Sequence, residues 1–242
     1  MSEPMPHDLA GPVQRRRRAL ALIAAGGATL ASRLGWAQSS RTALACIVRP
    51  QQIEGPFFVD ERLNRSDIRS DPASGETRPG VRLNVTFRIG RMNGGACTPL
   101  AGVRVDLWHC DAAGFYSDVQ DTRASTIGQK FLRGHQLTDT SGAASFTTIY
   151  PGWYRGRAVH LHFKLRSPAG ERRSHEFTSQ IYFDDALTDR VFSQAPYSAR
   201  GRRDVRNDGD GLFIRGGRDL LLPLVERANG YAGVFEIALD IA

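Results

Sequence analysis

The residues best able to do chemistry lie in one stretch, Tyr150-Pro-Gly-Trp-Tyr-Arg-Gly-Arg-Ala-Val-His-Leu-His162. His160 and His162 are one residue apart. On an extended segment they share a face, one pleat repeat apart, because successive side chains of a strand alternate. Two imidazoles so placed can serve one metal ion. On a strand over 159–165, Val159, Leu161, Phe163 and Leu165 take the opposite face and suit a core. A bare His-x-His is more often two solvated side chains. The Pro-Gly turn with Tyr154 and Arg157 just upstream shifts the reading towards a site.

The remaining ligands decide which metal. Cupin-type sites place a Glu four or five residues after the second histidine, but here the first acid after His162 is Glu171. Zinc held by thiolates would need Cys46, Cys97 and Cys110, and none of them shows paired spacing. The local excess is in tyrosine: Tyr116, Tyr150 and Tyr154. Phenolate is a hard anionic donor that suits a trivalent ion, so two phenolates with two imidazoles would favour Fe(III).

These side chains must be positioned by strands. Leu83–Ile89, Val103–His109, Ala144–Tyr150, Val159–Leu165, Ser179–Phe183 and Val234–Ile241 alternate apolar and polar residues. Turn-formers separate them, as in Asp111–Gly114 and Asp139–Gly142. A helix is expected near Asp189–Gln194, and Asp219–Arg227 is ambiguous because Pro223 interrupts it. Short strands without βαβ alternation predict an all-β fold: an antiparallel β-sandwich with long loops and one or two short helices. With no internal repeat or linker, residues 38–242 read as a single domain.

The 242 residues are 41% hydrophobic and 24% charged, which excludes collagen-like, disordered and multi-span membrane classes. A net charge of +7 raises the question of nucleic acid. Part of that charge sits in an address. Arg15–Arg18 precede an apolar run from Ala19 to Leu30, followed by Gly-Trp-Ala at 35–37. A run of about a dozen residues is too short to cross a bilayer of ~30 Å. Residues 1–37 are therefore expected to be an export signal, of twin-arginine type from the consecutive arginines. That implies a periplasmic or extracellular protein with no membrane segment in its mature form. Cutting after Ala37 leaves 27 basic and 23 acidic residues, a net +4. The Arg-rich stretch 198–206 carries Asp204 and lacks interleaved aromatics beyond Tyr197, so no nucleic-acid partner is expected.

From Cys46 to the C-terminus the chain resembles the intradiol ring-cleavage dioxygenases, which include protocatechuate 3,4-dioxygenase and catechol 1,2-dioxygenase. The resemblance is carried by Glu54-Gly-Pro-Phe57, Arg65-Ser-Asp-Ile68, Trp108-His-Cys-Asp-Ala-Ala-Gly-Phe-Tyr116 and Phe131-Leu-Arg-Gly134. Tyr150-Pro-Gly-Trp-Tyr154, Arg157-Ala-Val-His-Leu-His162 and Gln180-Ile-Tyr-Phe183 complete it. The order and spacing of these fragments are what make it specific, and the exported single-chain branch is the most similar. The resemblance implies a mononuclear non-haem Fe(III) held by Tyr116, Tyr154, His160 and His162, with Tyr150 at a non-ligand position. It implies a small aromatic diol and O2 as partners, no organic cofactor, and a muconate-type product. Tyr154 is then the phenolate that leaves on substrate binding and takes a substrate proton. Arg157 and Gln180 match site-lining residues. Glu54–Phe57 is expected to tuck a loop near the site.

Other residues read as structural: His109, His135 and His175 lie outside the motif, and Trp108 and Trp153 suit a core. A carboxylated diol would want a further cation, for which Arg123 and Arg133 are candidates. Apolar edges are compatible with a homodimer. Two other readings compete, a non-enzymatic prealbumin-like binding module and a Zn(II) hydrolase using the His pair. Neither has a use for the two tyrosines.

Overall fold

The alternating segments become strands because their apolar residues can then be buried on one side of a sheet. In the computed structural model, which describes residues 44–168, 170 and 174–241, nine strands and two α-helices follow in order. They are β1 (Arg82–Asn93), β2 (Ala96–Pro99), β3 (Arg104–Trp108), β4 (Arg133–Leu137), β5 (Ala143–Ile149), β6 (His160–Arg166) and β7 (Glu176–Tyr182). Then come α1 (Asp185–Phe192), α2 (Gly211–Ile214), β8 (Val225–Arg227) and β9 (Gly230–Leu239). The export signal expected at 1–37 lies outside the described residues.

One sheet runs β2-β1-β9-β8, with β5 also paired to β1; the other runs β4-β3-β6-β7 and is antiparallel throughout. The expected sandwich is present, with one departure from strict antiparallelism. β1 and β9 pair in parallel, from Leu83↔Tyr231 to Arg91↔Leu239. The whole second sheet lies between them in sequence, ample chain for the long crossover that a parallel pair needs.

Between the sheets, Leu83, Val85, Phe87 and Ile89 of β1 meet Leu161, Phe163 and Leu165 of β6 and Phe235, Ile237 and Leu239 of β9, all in one buried cluster. Phe87 lies 5.3 Å from Phe163 and 5.8 Å from Phe235, so three rings bridge the layers. Each buried side chain of this size contributes about 1.5–3 kcal/mol. This core holds β6 rigidly from one side only. Its other face is where the histidines stand.

Three strands escaped the periodicity argument. Arg133-Gly-His-Gln-Leu of β4 has no apolar alternation, yet it pairs with β3 in register. β2 and β8 are three or four residues long, too short to show a period. The helix expected at Asp189–Gln194 begins four residues earlier, because Asp184 caps it by accepting from the Leu187 amide at 2.9 Å. Around Pro223 the ambiguous segment divides into a 3-10 turn at Gly217–Leu220 and β8.

Cys46 is disulfide-bonded to Cys97, and Cys110 is a buried free thiol. The disulfide ties the segment before residue 50 to β2, while the Ala238 amide donates to the Ile47 carbonyl at 2.7 Å. Further along, the Gln52 amide donates to the Thr178 carbonyl at 3.0 Å and the Ser179 hydroxyl to the Pro50 carbonyl at 2.8 Å. This anchored run delivers residues 53–58 over the outer face of β6.

Candidate metal centre

On a solvated sheet the outer face of β6 would be wet. Here His160, His162 and Lys164 on that face are all buried, as are the core-facing residues between them. Register builds the floor of the site. His162 stands opposite Trp108 on β3 and Gln180 on β7, and His160 opposite Tyr182. Trp108 stacks on His162 with ring centroids 5.1 Å apart and an interplanar angle of 9°. Trp108 is thus both a buried aromatic, as expected, and a wall of the site.

The two tyrosines arrive on loops that lock together. Asp111 shapes the first loop: its carboxylate accepts from the amides of Ala113 at 3.0 Å and Phe115 at 2.9 Å. Gly114 has φ +80°, and a Cβ there would lie 2.2 Å from the Trp153 carbonyl oxygen. In the second loop, a Cβ on Gly152 would lie 2.3 Å from the Asp111 carbonyl oxygen. Only glycine at both places lets the backbones touch, and this contact brings the Tyr116 and Tyr154 rings to 5.7 Å.

The roof is residues 54–58. A Cβ on Gly55 (φ +77°) would come within 3.2 Å of His162 Cε1. Phe57 stacks on Tyr116 at 4.5 Å and meets Tyr154 edge-on at 5.7 Å. Phe58 packs on Trp108 at 4.8 Å, with the Lys164 ammonium 4.3 Å from its ring centre. Lys164 also pairs with Glu54, which fastens the roof to β6. The loop expected near the site is therefore its cover.

Within this enclosure the donor atoms converge. His160 Nδ1 donates to the Ala158 carbonyl at 2.6 Å, because a carbonyl can only accept. That places the lone pair of the neutral ring on Nε2. His160 Nε2 is 3.0 Å from His162 Nε2 and 3.3 Å from the Tyr154 hydroxyl. Burial lowers the pKa of His160 to about 3, and that of His162 well below its usual range, with the Arg157 charge adding to both. Both rings are neutral at physiological pH, the state in which imidazole ligates. The buried Tyr116 hydroxyl meets no hydrogen-bond partner. Burial raises its pKa well above the ordinary value and pushes Tyr154 up to about 12 despite the nearby Arg157 charge, so neither phenol would ionise here without a metal ion.

These residues fit a metal ion. An unpartnered buried phenol is costly as it stands, and two imidazole nitrogens converge at 3.0 Å. A cation bound by all four would satisfy every one of them. Among the described residues no group of three His, Cys, Asp or Glu side chains could hold a metal, so a carboxylate triad is not an alternative. A metal held here would have to take phenols into its ligand set.

The other sequence candidates fall as follows. Arg157 is buried beside the centre, its Nη1 3.5 Å from the Tyr154 hydroxyl. Its Nη2 donates to Gln180 Oε1 at 2.6 Å and to the Tyr182 hydroxyl at 3.2 Å. Gln180 Nε2 donates to the Ile53 carbonyl at 3.1 Å, so Gln180 holds both Arg157 and the roof. Tyr150 sits in the main core with its hydroxyl 2.7 Å from Thr188 Oγ1, away from the ligands. His109 is structural: Nδ1 donates to the Cys110 carbonyl at 2.8 Å, and Thr148 Oγ1 lies 2.6 Å from Nε2. Arg123 is engaged by Asp121 and the Gly114 carbonyl, whereas Arg133 bonds Ser117 through Nε and Nη2 and its buried Nη1 has no hydrogen-bond partner.

Sequence reasoning missed Tyr182, Gln52 and Asp210. Tyr182 donates to Gln52 Oε1 at 2.8 Å, and Asp210 accepts from Arg157 Nε at 2.9 Å. Tyr182 was within reach of register logic, two residues after Gln180 on the same face. Asp210 lies 53 residues after Arg157 in a loop, and no spacing rule points to it.

Comparison with known proteins agrees with this geometry. A family model described as Dioxygenase matches residues 53–210. The chain is 30% identical over 155 residues to the protocatechuate 3,4-dioxygenase beta chain of Burkholderia cepacia, covering 60% of this chain and 61% of that one. It is 30% identical over 152 residues to catechol 1,2-dioxygenase of Candida albicans, covering 54% and 45%. The match thus spans about three fifths or less of these curated relatives' own length. Among solved structures, an intradiol ring-cleavage dioxygenase from Tetranychus urticae aligns with a TM-score of 0.68 at 30% identity, over 81% of this chain and 95% of that one. The dioxygenase domain of a dioxygenase–carbohydrate-binding fusion from Streptomyces sp. SirexAA-E aligns at 0.58 and 28% identity, over 81% and 100%. Since the matched segment runs from the roof over His162 to the carboxylate behind Arg157, and so contains the whole centre, the chain belongs to the intradiol ring-cleavage dioxygenase family.

Proposed function

We propose that this protein is a non-haem Fe(III)-dependent dioxygenase that cleaves a catechol-type aromatic diol between its two hydroxylated carbons. O2 is the co-substrate and a muconate-type acid the product. The observation that carries this reading is the meeting of two neutral imidazoles and two buried phenols in one enclosure. A binding module has no reason to keep such a set, and a hydrolytic zinc site no use for the phenols.

Tyr116, Tyr154, His160 and His162 would hold the iron. Bound there, Fe(III) would supply a Lewis acid that draws electron density from a coordinated catecholate and makes a ring carbon reactive towards O2. Tyr154 is the mobile base. Burial pushes its pKa up to about 12 even beside the Arg157 charge, so a phenolate at this position would readily take a proton from a substrate hydroxyl. Arg157 keeps a fixed positive charge 3.5 Å from that oxygen, where it can stabilise negative charge on substrate. Phe57, Phe58 and Trp108 keep water out, which strengthens both effects.

The deciding experiment is a visible spectrum of the purified protein before and after anaerobic addition of catechol. A red-brown phenolate-to-iron band that shifts on addition supports the reading; a protein still colourless after reconstitution with iron removes it. In the same assay Tyr154→Phe should weaken the band and slow turnover by roughly 100- to 10,000-fold, the range for a lost general base. Unchanged spectrum and rate would take Tyr154 out of the ligand set.

We also propose that residues 1–37 direct export of the folded protein by the twin-arginine route to the periplasm or beyond. The Cys46–Cys97 disulfide supports an oxidising destination. Replacing Arg16 and Arg17 together by lysine should leave the protein in the cytosol, and normal export of that variant would refute the route.

A further inference from the structure

Asp210 is 1% exposed, yet it is placed on a short loop between a 3-10 turn at Asn207–Gly209 and α2. Its carboxylate meets four donors. Oδ2 accepts from Arg157 Nε at 2.9 Å and from the Ala158 amide at 2.8 Å. Oδ1 accepts from the amides of Leu212 at 2.7 Å and Phe213 at 3.4 Å. Capping alone does not account for this burial. α2 is four residues long and buries none of them, so a cap on it has little to stabilise. Desolvating a carboxylate costs several kcal/mol unless a cation and hydrogen bonds offset it.

The cation is Arg157, and the way it is gripped matters. Asp210 takes the Nε edge of the guanidinium, and the same oxygen holds the backbone amide of the next residue. Two bonds to one carboxylate oxygen fix both the side chain and its point of attachment. The terminal nitrogens are then turned the other way, Nη2 to Gln180 and Tyr182 and Nη1 towards the Tyr154 hydroxyl. The α2 segment is held in turn by Gln52, whose Nε2 donates to the Leu212 carbonyl at 2.8 Å while its Oε1 accepts from Tyr182. A closed ring of contacts therefore runs Asp210–Arg157–Tyr182–Gln52–α2.

We propose that Asp210 is the positioning residue for Arg157: it holds the guanidinium edge-on so that the fixed charge faces the reacting oxygens of the diol. This rests on the dioxygenase reading for its kinetic consequence, but the grip itself does not.

The test has two arms. In metal-free protein labelled with 15N-arginine, the Arg157 Nε–H signal, assigned by its loss in Arg157→Lys, should exchange slowly with water. In Asp210→Asn, which sets an amide group against two donors or gives up the α2 cap, that signal should become fast-exchanging. The Nε–H of Arg65, bonded to the Arg133 carbonyl at 2.9 Å, is the control and should stay slow. In iron-loaded enzyme Asp210→Asn should lower kcat by roughly 10- to 100-fold, the scale for losing an orienting partner, with the charge-transfer band and KM nearly unchanged. On an Arg157→Ala background the same substitution should cost no further turnover.

An Arg157 Nε–H that exchanges rapidly in the wild-type protein overturns the proposal, even if Asp210→Asn does not fold. So does an equal loss of turnover with and without Arg157, which would mean a general structural role. Should no catechol be turned over at all, the dioxygenase reading fails while the exchange arm still decides the grip.

Discussion

His160→Ala and His162→Ala are expected to yield folded protein that retains no iron, shows no visible band and turns over no catechol. Each removes one of two neutral imidazoles whose Nε2 atoms stand 3.0 Å apart. The loss should exceed the roughly 10- to 100-fold typical of disturbing an outer partner of a ligand, because in the proposed centre each histidine is itself a ligand. Iron per chain after dialysis is the direct measurement, with near-ultraviolet circular dichroism to confirm folding. Full iron occupancy in either variant would sink the four-ligand centre. The two variants differ in one respect. His162 lies between Trp108 and Gly55, so its truncation opens a void under the roof, whereas His160 faces Tyr154 and Tyr182. His162→Ala should therefore be the less stable of the two.

Arg157→Ala should behave in the opposite way, keeping its colour and losing its rate. Its guanidinium touches Tyr154 and Gln180 but is no ligand, so iron and band should survive. Turnover should fall by roughly 100- to 1,000-fold, the usual result of removing one fixed group from beside developing negative charge. The structure adds a second consequence. Truncation leaves Asp210 as a buried carboxylate without its cation, and breaking a buried pair in this way costs about 3–5 kcal/mol. Thermal unfolding should show that loss, and Asp210→Asn on the same background should recover part of it. A wild-type rate in Arg157→Ala would refute its role on substrate. A normal rate with lowered stability would make the arginine a purely structural member of the pair.

The pairing of consequences in Arg157→Ala shows why mutational data at this centre need both readouts. A rate loss alone could follow from a displaced roof, since Gln180 joins Arg157 to the Ile53 carbonyl. Colour retained with rate lost separates an effect on substrate from one on ligands.

The strands that carry the chemistry were legible because their information is local. Val159, Leu161, Phe163 and Leu165 alternate with His160 and His162, and a pleat of period two puts each set on its own face whatever surrounds it. The same holds for Leu83–Ile89 and for the Asp111 and Pro151-Gly152 turns that present Tyr116 and Tyr154. β4 was not legible, because a strand made of Arg, Gly, His and Gln is a strand only by virtue of pairing with β3. Asp210 was not legible for the related reason that its worth lies in a partner 53 residues away. What the amino-acid order determined alone was the set of faces and turns, and with them the four donor types. What tertiary structure decided was enclosure. The anchored roof of Gly55, Phe57 and Phe58 and the interlock of Gly114 with Gly152 exclude water from the outer face of β6. That enclosure pushes the pKa values of the two imidazoles further down and those of the two phenols further up, while hydrogen bonds from Arg157 to Asp210 and Gln180 give its charge a fixed direction.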